Sequence, residues 1–152
     1  MTLTRMPAFR PSGAGVPVAT PWHEALVRKV DGSSTGGAFS VLELTAAADW
    51  SRPPYVHHQL DECFYVVEGS FLATVETADA PLELSAGSVL FVPRGVLRSL
   101  RAMSSDSRLV LVTTPGCSPG TADLSAGIEL VEPPHPPVPD SINIHRTRSP
   151  LS

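Results

Sequence analysis

Four side chains in this 152-residue chain have types and spacings that could do chemistry: Tyr55, His57 and Glu62 close together, and Arg98 later on. Tyr55 and His57 alternate in a strand-like run, so both point to one face of a strand while His58 points to the other. A turn through Leu60 and Asp61 can return Glu62 to that face, with Phe64 and Val66 following at the same parity. A histidine and a glutamate side by side supply an acid and a base for proton transfer. Arg98 arrives after the turn Pro93-Arg94-Gly95 and brings a permanent cation, able to hold a carboxylate, phenolate or developing enolate oxygen. Catalytic zinc or iron normally takes three protein ligands. Only His57 and Glu62 are evident here, so neither a bound metal nor another cofactor is expected; were a metal present, those two would hold it.

These residues need a scaffold, and the chain's periodicity says which kind. Helical spacing is nearly absent, while short β-branched and aromatic runs punctuated by Gly, Pro, Ser and Asp recur from about residue 37 to residue 114. Strands are expected over residues 38–44, 55–58, 62–67, 71–76, 81–84, 88–92, 97–101 and 108–114, with a late one at 128–131. Turn residues at Glu68-Gly69-Ser70, Ala86-Gly87 and Arg94-Gly95 separate them. The fold class is all-β, a barrel or sandwich. Phe64, Val66, Phe91 and Leu100 are the expected apolar, substrate-binding lining around the four polar residues. Cys63-Phe64-Tyr65-Val66-Val67 and Leu109-Val110-Leu111-Val112 are apolar at both alternating sets of positions, which implies burial on both faces. A second sheet, the N-terminal segment or another subunit must then cover the outside, and a homodimer is expected.

The stretch from Pro53 through His57, His58 and Glu62 to Gly69 resembles the first motif of the cupin superfamily. That motif has two alternating histidines, then a glutamate, then a glycine seven residues after it. His57, Glu62 and Gly69 match, and Tyr55 stands at the first-histidine position. The stretch Gly87-Ser88-Val89-Leu90-Phe91-Val92-Pro93-Arg94-Gly95-Val96-Leu97-Arg98 resembles the second motif: Gly87, Pro93 and Gly95 match, and Arg98 stands where the last histidine belongs. Residues 30–116 are similar to small single-domain cupins related to quercetin dioxygenases and to polyketide-tailoring cyclases. The resemblance implies a double-stranded β-helix with extended N- and C-terminal arms: residues 1–29 an arm, 30–116 the barrel, 117–152 a strand and a Pro-rich tail.

It also implies a degenerate metal site, in which a guanidinium sits where a cation would. At ~4 Å and an effective dielectric of ~20, two unit charges repel by about 4 kcal/mol, and a divalent ion by about twice that. The function implied is a metal-independent cyclase, isomerase or dehydratase acting on a hydrophobic, oxygenated, polyketide-like or aromatic molecule. The alternatives are a metal-dependent oxygenase or cyclase with altered ligands, and a non-catalytic small-molecule binder.

Composition narrows the partners. With 42% hydrophobic residues the chain can build a core without disulfides, and Cys63 and Cys117 are expected to be free thiols. A net charge of −4 with no cationic run argues against nucleic acid and against acidic membranes; a small neutral or anionic ligand fits better. No apolar block suits a signal peptide or a membrane span, so a soluble, cytoplasmic protein is expected.

Overall fold

Alternation of apolar and polar residues runs along most of the chain, and the backbone answers it with strands throughout. The computed structural model describes residues 5–22, 24–116 and 127–131. Among them no helix is long and apolar enough to cross a membrane. The strands are β1 (Val16–Pro17), β2 (Ala25–Val30), β3 (Ser40–Ala46), β4 (Ser51–His57), β5 (Asp61–Glu68), β6 (Ser70–Val75), β7 (Leu82–Ser85), β8 (Val89–Val92), β9 (Arg98–Ala102), β10 (Ser107–Thr114) and β11 (Ile128–Leu130). They form two antiparallel sheets, ordered β1-β2-β3-β10-β5-β8 and β11-β4-β9-β6-β7. This is the expected all-β architecture of a double-stranded β-helix, with the core between the sheets.

Register explains which side chains meet. Across the larger sheet Leu44, Leu109 and Val66 form one inward row, and Leu42, Leu111 and Phe64 the next. From the other sheet Phe71, Ala73 and Leu100 close on them, all buried. Burial of each large side chain is worth about 1.5–3 kcal/mol, so these rows hold the barrel together. The turn from β5 to β6 depends on Gly69: its φ of 75° suits glycine, and a Cβ there would lie 2.4 Å from the Ser107 hydroxyl.

Two expectations need correction. Residues 1–29 are not simply an arm, because β2 pairs along β3 and buries Leu26 and Arg28. Its mixed sequence, Ala25-Leu26-Val27-Arg28-Lys29-Val30, puts two cations in a strand, which masked the signal. The second concerns β4, which begins at Ser51 and ends at His57, leaving His58 outside it. The late strand does form, as β11 paired to β4. The tail after residue 131 and the segment holding Cys117 lie outside the described residues.

The outer face of the larger sheet is apolar and open. Tyr65 is 46% exposed, Val89 59% and Phe91 57%, and Val67 lies beside them. Neither the second sheet nor the described N-terminal residues cover them.

Candidate functional site

Strand β4 brings most of the site's polar groups into the barrel, and two prolines determine how. Arg52 pairs with Leu100 and Tyr55 with Arg98, so three steps along β4 match two along β9. Pro53 and Pro54 have no N–H to give to the ladder, and the strand bulges there. The extra residue turns Arg52 and Tyr55 to the same inner side, where strict alternation would have put them on opposite faces. Both are buried.

Around Glu62 on β5 the polar groups converge. The Tyr55 hydroxyl donates to Glu62 Oε1 at 2.8 Å, and Arg98 Nη1 donates to the same oxygen at 2.5 Å. Arg52 Nη1 donates to the Tyr55 oxygen at 2.9 Å and reaches Glu62 Oε2 at 3.5 Å. The far side of the Arg52 guanidinium is held by the Glu24 carboxylate through Nε and Nη2. Two arginines and two glutamates thus form a buried, charge-balanced chain, Glu24–Arg52–Glu62–Arg98, with Tyr55 bridging its middle. Taking charges out of water costs several kcal/mol per ion, a cost offset only by this degree of mutual pairing.

Aromatic rings pack against the cations. The guanidinium of Arg52 lies 4.6 Å from the Trp22 ring centroid and that of Arg98 5.2 Å from the Tyr55 centroid. The Trp22 and Tyr55 rings are 4.7 Å apart. Burial raises the Tyr55 pKa, the Glu62 charge adds to this, and Arg52 and Arg98 oppose them without winning. The phenol therefore stays protonated and acts as a donor at neutral pH. For Arg52, burial favours loss of the proton, but Tyr55, Glu24 and Glu62 outweigh it and hold the cation.

Arg98 is fixed by the turn that precedes it. Its Nε donates to Val96 O at 3.0 Å and its Nη2 to Pro93 O at 2.8 Å. The turn is tied down twice: the Gly95 amide donates to His57 O at 2.9 Å, and the Arg94 amide and Nε donate to Asp61 Oδ1 at 2.9 and 3.0 Å. His57 is buried at the end of β4, and its Nδ1 accepts the Gln59 and Leu60 amides at 3.2 and 3.1 Å. With Nδ1 accepting, the proton of the neutral ring sits on Nε2.

The structure brings Tyr55, Glu62 and Arg98 into direct contact and places His57 on the same inner face. Phe64, Val66 and Leu100 are buried in the interior. Phe91 is not a lining residue: it alternates with buried Val92 and faces outward, pairing with Cys63 on the outer face. His58 is exposed, with Nε2 2.6 Å from Glu129 Oε1 on β11. Sequence reasoning missed Arg52, Glu24 and Trp22. The Pro-Pro pair was the available sign of a bulge, whereas nothing local to Glu24 marked it as buried.

The residues present do not fit a metal. Among the described residues no group of three or more His, Cys, Asp or Glu side chains could hold one. One oxygen of Glu62 already accepts two donors, the phenol is protonated, and two guanidiniums flank the carboxylate.

Comparison with known proteins agrees with this fold. Residues 42–115 match the cupin domain family. A probable germin-like protein of Arabidopsis thaliana, subfamily 2 member 5, is 29% identical over 107 residues, covering 68% of this chain but only 50% of that protein. The chain thus spans about half the length of that curated relative. A double-stranded β-helix protein from Klebsiella pneumoniae superposes with a TM-score of 0.55 at 16% identity, covering 83% of this chain and 92% of that one. KdgF from Halomonas gives a TM-score of 0.53 at 19% identity over 59% of this chain and 76% of its own. An oxalate oxidase gives 0.54 at 19% identity over 86% and 68%. At these identities the structural likenesses speak for the fold alone. The domain match covers just under half of the chain; with the paired sheets and these likenesses, it shows that the chain is similar to the cupin domain family and shares its double-stranded β-helix fold.

Proposed function

We propose that this protein acts on a small oxygenated molecule by proton transfer, without a metal, in a cyclisation, isomerisation or dehydration of a polyketide-like or aromatic substrate. The observation that carries this reading is the shared oxygen of Glu62, which takes both the Tyr55 hydroxyl and the Arg98 guanidinium where a metalloenzyme would need free lone pairs. In this reading Tyr55 and Glu62 are a phenol–carboxylate pair between which a proton can be shared with a substrate. Arg98 holds a substrate oxygen as it becomes anionic, while Arg52, engaged by Glu24 and by the Tyr55 oxygen, positions the phenol. His57, with its proton on Nε2, is a second donor on the same face. Phe64, Val66 and Leu100 form the apolar surround that strengthens these charges.

A test is proton exchange. Aryl β-diketones in deuterated buffer, followed by proton NMR, should lose their acidic C–H signals faster with the protein than without it. The acceleration should survive chelator treatment and vanish in Glu62→Gln. Exchange at the buffer rate across the panel, or exchange that requires an added divalent ion, would overturn the reading.

A second reading, a non-catalytic binder, is favoured by the complete pairing of Glu62 and its burial at 3% exposure. A ligand that copurifies and binds while Glu62→Gln leaves exchange unchanged would select it.

A further inference from the structure

Strand β2 is preceded by a segment outside residues 42–115, the part of the chain that matches the cupin domain. Two side chains of that segment, Trp22 and Glu24, join the interior polar chain through Arg52. Glu24 is the costlier of the two: its side chain is 0% exposed, and a carboxylate so placed has given up its hydration. Stability is a poor account of its presence, since apolar residues often replace buried ion pairs without loss.

The effect of Glu24 on Arg52 is geometric. Arg52 Nε lies 3.1 and 3.0 Å from the two Glu24 oxygens, and Nη2 donates to Oε1 as well. A carboxylate that takes the Nε–Nη2 edge fixes the plane of a guanidinium as well as its place. The Trp22 ring occupies one face, with its centroid 4.6 Å from the guanidinium carbon. With one edge and one face taken, Nη1 is the end left to the site. It donates to the Tyr55 oxygen at 2.9 Å and stands 3.5 Å from Glu62 Oε2. A phenol carries one proton. Because the Tyr55 oxygen accepts from Arg52, that proton is turned the other way, onto Glu62 Oε1 at 2.8 Å.

We propose that Glu24 is a positioning residue for the Glu62 site, acting through Arg52 to aim the Tyr55 proton at Glu62. The effect of Glu24 on turnover rests on the proton-transfer reading of that site; its effect on the phenol rests on geometry alone. With Glu24 neutralised, Arg52 keeps its charge but loses its anchor. Glu62 Oε2, the carboxylate oxygen next in reach, should then draw Nη1 away from the phenol.

The chain has two tyrosines, so protein labelled with carbon-13 at the tyrosine Cζ gives two signals, and Tyr65→Phe leaves that of Tyr55. The Cζ shift responds to hydrogen bonding at the phenol oxygen and is read from folded protein at neutral pH. Glu24→Gln should move the Tyr55 signal by more than its linewidth, and so should Arg52→Lys, which keeps the cation without the fork. Glu129→Gln, at an exposed carboxylate on β11, should not. In the aryl β-diketone exchange assay both site variants should lower kcat at least about tenfold with KM unchanged, because Glu24 lies behind Arg52 and aims a group rather than binding substrate. The double variant should be no slower than the slower single, since the two residues act as one unit. Should Glu24→Gln fail to fold, Glu24→Asp, which withdraws the carboxylate by one methylene, carries the same expectations. A Tyr55 signal unmoved in both variants would overturn the proposal, as would a lower melting temperature with kcat intact. A moved signal in proteins that exchange nothing, wild type included, would uphold the aiming of the phenol and overturn the proton-transfer reading instead.

Discussion

Tyr55 and Arg98 are cross-strand partners on β4 and β9, and both donate to a single oxygen of Glu62 on the opposite sheet. The two positions at which this chain departs from the cupin motif histidines are therefore coupled through the one motif carboxylate that it keeps. Changing one of the three should be felt by the other two.

Arg98→Met tests that coupling. It leaves Glu62 buried beside a phenol and a more distant guanidinium, and breaking a buried ion pair typically costs about 3–5 kcal/mol. The melting temperature should fall by many degrees. The double change Arg98→Met with Glu62→Gln should recover much of the loss, because no unpaired charge then remains. A double variant as unstable as the sum of the singles would show the groups to be energetically independent.

His57→Ala and His58→Ala should differ sharply. The first removes the ring that accepts the Gln59 and Leu60 amides, so both stability and proton exchange should drop, exchange by about 10²-fold if the ring is an acid or base. The second removes an exposed pair with Glu129, worth about 0–1 kcal/mol, and should leave exchange intact. Equal sensitivity of the two would refute the register of β4.

Acid should loosen the Arg98 turn. Hydrogen bonds from the Arg94 side chain and amide lower the Asp61 pKa from 3.8 to about 2. A carboxyl group with a depressed folded pKa stabilises the fold above its unfolded pKa, and that contribution is lost as pH falls through the folded value. Wild type should therefore lose stability more steeply than Asp61→Asn between about pH 4 and pH 2. Parallel denaturation curves for the two proteins over that range would contradict this.

We propose that a second copy of the chain covers the outer sheet face. Tyr65 pairs with Val89 and Cys63 with Phe91 across β5 and β8, and Val110 and Val112 of β10 extend the same surface. At its margin Arg108 lies only loosely against Glu43 and Glu68, at 3.9 and 3.8 Å, a mixed-sign border that a two-fold pairing can satisfy. Light scattering at micromolar concentration should give twice the 16.1 kDa chain mass, and Val89→Glu with Phe91→Glu should give the single-chain mass with the fold retained. A wild-type monomer would refute it.

Much of the fold was legible in the sequence because inward rows such as Leu42, Phe64 and Leu111 repeat with period two. Parity likewise placed Tyr55, His57 and Glu62 on one face and His58 on the other. Parity failed at Arg52, where the Pro53-Pro54 bulge shifts the count by one. It failed differently at Phe91: a strand apolar on both faces gives no pattern that distinguishes inside from outside. Glu24 could not be foreseen, because its burial depends on a long-range partner and on β2, a strand whose Arg28 and Lys29 hide its apolar alternation.

The central claim, that a paired carboxylate and two guanidiniums have replaced a metal centre, is tested most directly by elemental analysis of the protein after gel filtration. The site as built should retain less than about half an equivalent of zinc, iron, nickel or manganese combined, since fewer than three ligands are available. A full equivalent of any one of them, retained by wild type and lost in both His57→Ala and Glu62→Gln, would contradict it.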